Sequence, residues 1–202
     1  MPIIPKTFLQ AVRLERDKIA SFDRYPFCIP AVRHLERLAF SPAVTFFIGE
    51  NGSGKSTLME AIATRYGYNA EGGSKNFNFS TQETHSELHD YITLERGVLH
   101  PSDGFFLLAE SFYNVATYID QLGVERAYGG RSLHGQSHGE AFLSLLQHRF
   151  QGDGVYLLDE PEAALSPTRQ MAMLSRMHQL VAEQSQFIIA THSPILMAYP
   201  GA

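Results

Sequence analysis

The sequence has a single cysteine, Cys28, no long apolar run and no excess of basic residues. One thiol cannot form a disulfide within the chain or build a cysteine-based zinc site, so the reducing cytosol is the expected compartment. No apolar run approaches the length that spans a bilayer, and residues 1–6 do not resemble a signal peptide. A net charge of −5 argues against a protein that coats nucleic acid by its overall charge, although a local basic patch is compatible with it.

The length and composition are those of an ordinary globular protein. The chain has 202 residues, of which 44% are hydrophobic and 18% are charged. This length suits one α/β domain with a sizeable core. We therefore expect a single domain over residues 1–202, with a polar, variable insertion at about 67–103.

A glycine-rich loop at residues 49–57 is the strongest signal in the sequence. It fits G-x-x-x-x-G-K-[ST], the pattern that wraps the phosphates of a nucleotide. A strand-like apolar run at residues 44–48 precedes it and a run of helix formers at 58–65 follows it, which is the context that the motif requires. The predicted nucleotide-binding residues here are Gly49, Glu50, Asn51, Gly52, Ser53, Gly54, Lys55, Ser56 and Thr57.

Three side chains of this loop have distinct predicted roles. We expect Lys55 to reach the β- and γ-phosphates, Ser56 to ligate Mg²⁺ and Thr57 to bond the α-phosphate. The glycines let successive backbone N–H groups point at the phosphate oxygens, and the helix N-terminus adds partial positive charge.

Two carboxylates, Asp159 and Glu160, follow the apolar run at residues 155–158. Unpaired charges at the end of a buried strand are costly, so packing does not explain them. Nucleotide chemistry does, because Asp159 would hold Mg²⁺, directly or through water, and Glu160 would polarise the attacking water.

Two other strand-like runs end in polar residues. The run at 186–190 leads to His192, and the run at 104–109 leads to Glu110. A lone histidine is usually structural, but the carboxyl ends of parallel strands meet at one edge of a sheet, where ligands bind. We therefore favour a γ-phosphate contact for His192.

The residues Ser137, His138, Gly139 and Glu140 precede a helical run at 141–150. Ser-x-x-Glu before an apolar run is a capping box, in which the serine and the glutamate bond backbone groups at the helix start. A capped helix start is also a place that binds anions, so a structural and a functional interpretation both stay open.

The N-terminal 6–48 stretch is predicted to be β-rich. Its strand-like runs lie at residues 8–14, 29–32 and 35–40. Such a layer often covers the adenine ring, which makes Tyr25, Phe27 and Arg33 candidates for base stacking; a small additional core explains them equally well.

A helix is predicted over residues 168–184, with an apolar stripe that we expect to be core and not a cofactor site. The stripe consists of Met171, Leu174, Met177, Leu180 and Val181.

Taken in order, the strings GENGSGKST, SHGE, LLDEPEAALSP and THSP resemble the motifs of ABC-type ATPases over roughly residues 30–198. The set is most similar to the compact AAA-like branch that includes the Rad50, SMC and RecF heads and the overcoming-lysogenisation-defect ATPases. The resemblance implies an α/β P-loop NTPase fold, with a mostly parallel central sheet, flanking helices and an N-terminal antiparallel β-layer.

The resemblance also implies roles for particular residues. Lys55, Glu160 and His192 would be catalytic, with His192 at the switch-histidine position. Glu110 takes the position of a glutamine that contacts the metal. The residues 163–166 occupy the loop that crosses the dimer interface, where this chain has serine in place of the usual aspartate.

The signature position is occupied by SHGE, whose Ser137, Gly139 and Glu140 would complete the active site of the opposite subunit. The resemblance therefore implies two ATP molecules, with Mg²⁺, sandwiched in a head-to-tail homodimer that closes on ATP binding and opens on hydrolysis. The transporters of this family carry LSGGQ here, so SHGE weakens a transporter assignment.

Spacing indicates a stand-alone head. About 80 residues separate Lys55 from Ser137, too few for the long coiled coil of SMC and Rad50 proteins, and no heptad run occurs. Related folds carry more strand after the point where this chain stops, so we expect a truncated C-terminus.

The leading hypothesis is a soluble, cytoplasmic ATPase that acts on DNA or on a partner protein, without direct membrane insertion. The alternatives are the nucleotide-binding subunit of an ABC transporter and an ATP-binding switch that hydrolyses slowly.

Overall fold

Two sheets organise the chain, one parallel with four strands and one antiparallel with three. The structure is a computed structural model that describes residues 6–74, 86–109, 112–122 and 135–202. The strands are β1 (Leu9–Leu14), β2 (Arg37–Ala39), β3 (Val44–Phe47), β4 (Ile92–Arg96), β5 (Asp103–Leu108), β6 (Gly154–Asp159) and β7 (Gln186–Ala190). The helices are α1 (Pro30–Arg33), α2 (Lys55–Tyr66), α3 (Phe112–Leu122), α4 (His138–His148), α5 (Pro167–Ala182) and α6 (Pro194–Met197).

The parallel sheet has the strand order β3-β7-β6-β5. Every residue of β6 and β7 is buried, as expected of strands covered on both faces. The register pairs Ala190 of β7 with Phe47 of β3 on one side and with Asp159 of β6 on the other. Because these three strands end level, the residues that follow them are neighbours at one edge of the sheet.

Each face of the parallel sheet has its own apolar core. Tyr156 and Leu158 of β6 pack in the core that contains α4 and α5. Val155 and Leu157 alternate to the other face, where α2 and the antiparallel sheet cover them. The sheet is thus a central layer between two helical or mixed layers.

The antiparallel sheet has the order β2-β1-β4 and forms the predicted N-terminal layer. Gln186, the fully buried first residue of β7, links the two sheets through its side-chain amide. Its Oε1 atom accepts the N–H of Leu9 at 2.9 Å and its Nε2 atom donates to the Leu9 carbonyl at 2.8 Å. The predicted fold class, an α/β P-loop architecture with an antiparallel layer, is confirmed.

The strand predicted at residues 29–32 is wrong, because Pro30–Arg33 forms the short helix α1. Proline at the first helical position has its φ preset for a helix and lacks an N–H that would have no partner there. The next predicted strand is shorter than expected and covers only Arg37–Ala39.

The polar insertion predicted at 67–103 is also too long. The side chains of Leu88 and Ile92 are fully buried, and β4 pairs with β1 in the antiparallel sheet. Residues 86–96 are therefore part of the packed fold. The residues 75–85 lie outside the described part of the chain.

The apolar stripe of α5 differs from the prediction at one position. Met171 is 57% exposed, whereas Met173, which was not in the predicted stripe, is fully buried beside Met177 and Leu180. The buried apolar residues of α5 therefore begin at Met173. No helix within the described ranges is both long and apolar enough to cross a membrane.

Candidate active site

The phosphate loop lies between β3 and α2, and its glycines adopt backbone angles that other residues rarely take. Gly52 has a φ of 78° and Gly54 a φ of 98°. A Cβ atom on Gly54 would lie 2.5 Å from the Cγ2 atom of Ile29. Within the described residues, α2 has no side-chain cap at Gly54, and the N–H groups at the start of a helix are groups that bind anions.

Lys55, the first residue of α2, folds its ammonium group back over the loop. The side chain is buried, and Nζ donates to the carbonyl oxygens of Gly49 at 2.9 Å and of Glu50 at 3.1 Å. The backbone N–H of Ser53 donates to the same Glu50 carbonyl at 3.2 Å. These bonds hold the loop in a curved conformation around the ammonium group of Lys55.

His192, which follows β7, contacts both Lys55 and Glu160, the residue that follows β6. The Nε2 atom of His192 lies 2.8 Å from Lys55 Nζ and 3.4 Å from Glu160 Oε1. Since an ammonium group only donates, His192 Nε2 is the acceptor of that hydrogen bond. The carboxylate of Glu160 therefore lies beside the same imidazole nitrogen that contacts the lysine.

Glu160 leaves β6 in a left-handed backbone conformation, with a φ of 49°. This conformation is uncommon for residues other than glycine, and such strain clusters at functional sites. Its backbone N–H bonds the carbonyl of Ala190 at 2.9 Å, which ties the turn to the end of β7. A short 3₁₀ turn, Pro161–Ala164, follows.

A cleft of about 900 Å³ opens beside these residues. From the phosphate loop it is lined by Asn51, Gly52, Gly54, Lys55, Ser56 and Thr57. Asp159 and Glu160 line it from the end of β6. The structure therefore brings most of the predicted loop and the acid pair into one cleft, while Gly49 and Glu50 contribute carbonyl groups to Lys55.

Two of the three predicted metal ligands lie in this cleft, where the hydroxyl of Ser56 and the buried carboxylate of Asp159 offer oxygen atoms. Mg²⁺ prefers oxygen ligands and is usually held by one or two protein groups together with substrate phosphates, so this pair fits the ion. The third predicted ligand, Glu110, lies outside the described residues.

The three aromatic and basic candidates for base stacking are in different environments. Tyr25 is 62% exposed and lines the cleft beside Ile29. Phe27 is fully buried in the core under the antiparallel sheet, and Arg33 pairs with Asp23 at 3.7 Å. Stacking on a bound base is therefore open to Tyr25, and the core interpretation is correct for Phe27.

The SHGE segment forms the predicted capping box at the start of α4. The backbone N–H and the hydroxyl of Ser137 both donate to Glu140 Oε2, at 3.0 and 2.6 Å. These two bonds, followed by the charge of Arg169, hold the pKa of Glu140 below its usual value. Arg169 of α5 also lies 3.2 Å from Glu140 Oε1.

Gly139 is buried where α4 approaches α5, and a Cβ atom there would lie 2.8 Å from the carbonyl oxygen of Ala164. Of the segment 137–140, only His138 lines the cleft of its own chain. The structure thus does not place Ser137, Gly139 and Glu140 in the cleft with the phosphate loop.

Sequence reasoning missed two side chains that hold His192. The Oε1 atom of Glu162 accepts the backbone N–H of His192, and the Gln170 side chain bonds the next residue, Ser193. Glu162 could have been found, because it is the last acid of the DEPE string. Gln170 lies within a helix whose pattern gives no such signal.

Comparison with known families agrees with this geometry. A family model described as an AAA domain matches residues 18–125, more than half of the chain. The chain belongs to the AAA-domain family. A second AAA-domain model, whose description adds the AbiEii toxin of type IV toxin–antitoxin systems, matches residues 140–198 of this AAA-domain chain.

Curated relatives of this AAA-domain chain are ABC proteins. It is 31% identical over 169 residues to the thiamine import ATP-binding protein ThiQ of Vibrio vulnificus. The aligned residues make up 74% of this chain and 70% of ThiQ. It is 23% identical over 171 residues to the ABC transporter G family member STR2 of Medicago truncatula. That match covers 75% of this chain but 24% of STR2, so the chain spans about a quarter of this plant relative.

Solved structures show the same fold at low identity. The SMC head domain from Thermotoga maritima is 17% identical, with a TM-score of 0.50, over 96% of this chain and 92% of the head. A metal-chelate-type ABC transporter in an inward-facing conformation is also 17% identical, with a TM-score of 0.51, over 96% of this chain and 77% of that chain. The AAA-domain model and ThiQ confirm the resemblance to ABC-type P-loop ATPases, and the two solved structures show that the fold is shared.

Proposed function

We propose that this chain binds ATP with Mg²⁺ and hydrolyses the nucleotide, acting as one ATPase domain whose site is completed by a second copy. The observation that carries the proposal is the convergence of Lys55, His192 and Glu160 from three neighbouring strand ends. A lysine at a helix start, a histidine acceptor and a carboxylate beside one cleft are the groups that phosphoryl transfer to water needs.

In this proposal each group has one task. The loop N–H groups and Lys55 hold the phosphates, and the ammonium compensates the charge that develops during transfer. Ser56 and Asp159 would hold Mg²⁺, which when bound neutralises charge on the phosphate oxygens. Glu160 accepts a hydrogen bond from the attacking water and orients it, and His192 contacts the terminal phosphate.

A second copy is part of the proposal because, of the SHGE segment, Ser137, Gly139 and Glu140 do not line the cleft that contains the phosphate loop. Ser137 and Glu140 are exposed at the start of α4, where the helix N-terminus favours an anion. A head-to-tail homodimer would place this segment against the nucleotide of the other copy. ATP that binds the closed dimer better than the separate chains then drives closure by mass action.

Phosphate release with the variant Glu160→Gln tests the reaction. We expect the steady-state rate to fall at least about 100-fold, the usual contribution of a positioned general base, while ATP still binds. Glu183→Gln, an exposed glutamate at the end of α5, serves as the control and should hydrolyse ATP like the wild type. A Glu160→Gln variant with the wild-type rate would show that the base has been assigned to the wrong residue.

The partner is a separate part of the proposal. We favour DNA or a partner protein, because the chain aligns along 92% of an SMC head and carries SHGE instead of LSGGQ. Stimulation of ATP turnover by DNA, with an affinity that falls as salt rises, would support this role. If DNA does not change the rate of ATP turnover, DNA is not the partner and the hypothesis is limited to a partner protein.

The 31% identity to ThiQ favours a second candidate, the nucleotide-binding subunit of a transporter. Purification of this chain together with a membrane protein of several spans would support the transporter role and contradict the DNA-linked role.

An ATP-binding switch is the third candidate. Wild-type protein that binds ATP without measurable phosphate release would support this switch.

A further inference from the structure

Gln170, in the first turns of α5, bonds two segments of the candidate site through the two ends of its amide. Its Nε2 atom donates to the carbonyl of Leu165 at 3.0 Å, and its Oε1 atom accepts the hydroxyl of Ser193. Gln170 is 8% exposed, Leu165 5% and Ser193 6%, so water has little access to these bonds. Buried amides with both ends bonded fix the groups that they join.

The two bonded segments are the ones that matter for hydrolysis in a dimer. Leu165 belongs to the interface segment, which we define as residues 163–166. Ser193 follows His192 directly and caps α6 by accepting the N–H groups of Ile195 and Leu196. Gln170 therefore connects the segment that would face the second copy with the loop that carries the histidine.

Glu162 supports the same loop from a second side. Its Oε1 atom accepts the backbone N–H of His192, so the chain is held both at this residue and at the next one. Both anchors come from the stretch that follows Glu160. The position of the His192 ring is consequently set by this stretch as well as by β7.

We propose that Gln170 is a positioning residue that couples the conformation of the interface segment to the position of the His192 imidazole. The inference rests on the proposed function, because it assigns the interface segment to contact with a second copy. When docking moves the Leu165 carbonyl, the amide of Gln170 carries the movement to Ser193. The contacts of His192 with Lys55 and Glu160 then depend on the partner.

The variant Gln170→Leu tests the coupling, because leucine keeps the apolar volume but forms neither bond. We expect kcat for phosphate release to fall about 10- to 100-fold, the effect of a displaced catalytic group, with KM changed by less than about twofold. Gln179→Leu is the matched control on the same helix, since Gln179 is exposed and, among the described residues, its side chain bonds only Arg176. Wild-type kcat in Gln170→Leu, or an equal loss in Gln179→Leu, would overturn the inference.

A second measurement does not depend on hydrolysis. In protein labelled with ¹⁵N at histidine, the ring signals of His192 are identified by their loss in His192→Gln. We expect Gln170→Leu to shift these signals and Gln179→Leu to leave them in place. Unshifted His192 signals in folded Gln170→Leu would overturn the inference even if kcat fell, because the loss of rate would then have another origin.

The two measurements separate this inference from the proposed function. A wild-type protein without phosphate release would contradict the proposed function, while the ring signals would still decide whether Gln170 positions His192. If Gln170→Leu does not fold, Ser193→Ala removes the same bond from its other end and should shift the same signals. Unshifted signals in that variant would again contradict the coupling.

Discussion

At the scale of single residues, the site is explained by where three strands end. Phe47, Ala190 and Asp159 lie level across β3, β7 and β6, so the residues that follow them must meet. Lys55 and His192 are consequently in hydrogen-bond contact although 137 positions separate them in the sequence. Their chemistry could be predicted from motifs, but their contact required the strand register.

The capping box at Ser137 allows a prediction about pH. Hydrogen bonds from Ser137 are the main reason why the pKa of Glu140 lies below its usual value. A carboxyl whose pKa is lowered by folding stabilises the folded state above its unfolded pKa, and this contribution is lost as the pH falls through the folded pKa. We expect Ser137→Ala to raise the pKa of Glu140 and to cost about 1 kcal/mol of stability at neutral pH through the lost cap.

A titration of the Glu140 carboxyl carbon by NMR measures this pKa. Arg169→Gln is the matched control, because the charge of Arg169 is a smaller cause than the bonds from Ser137 and its removal should raise the pKa less. If Ser137→Ala left the pKa of Glu140 unchanged, the capping box would not be the source of the shift.

At the scale of elements, local signals predicted most of the fold. Gly67 ends α2 in a left-handed conformation with a φ of 104°, and Ser166 caps α5 before Pro167. These are the caps that local backbone chemistry dictates, so helix positions follow from sequence.

The errors occurred where distant contacts decide the structure. The strand β4 contains Thr93 and Glu95 and sits in a polar stretch, and it forms because β1, about 80 residues earlier, offers a partner. Strand preference depends strongly on such neighbours, so the pattern alone favoured a loop. In the same way, the role of Gln170 could not be predicted from the helix pattern, because it depends on the contact with Ser193, which follows the next strand.

The buried face of α5 gives a prediction with an internal control. Met177 is fully buried and Met171 is 57% exposed on the same helix. We expect Met177→Ala to lower the free energy of unfolding by about 2–5 kcal/mol, because it leaves a cavity, and Met171→Ala to change it by less than about 0.5 kcal/mol. Urea unfolding measures both, and equal losses for the two variants would mean that the face of the helix has been misassigned.

At the scale of the whole molecule, three of the four residues of the SHGE segment lie outside the cleft that holds the candidate nucleotide site, and His138 alone lines it. The cleft contains the phosphate loop and the acid pair, while Ser137 and Glu140 are bonded to each other and to Arg169 of α5. Both motifs could be recognised in the sequence, but the distance of Ser137 and Glu140 from the cleft of their own chain is a property of the fold. It is the reason for proposing that a second copy completes each site.

Mixing two inactive variants tests this central claim most directly. Lys55→Ala removes the loop lysine and keeps the SHGE segment, and Ser137→Arg blocks the SHGE segment and keeps the loop. Each alone should show almost no phosphate release. In an equimolar mixture, half of the dimers are mixed and each of these has one intact composite site, so we predict about a quarter of the wild-type rate. A mixture as inactive as its two components would contradict a site shared between two copies.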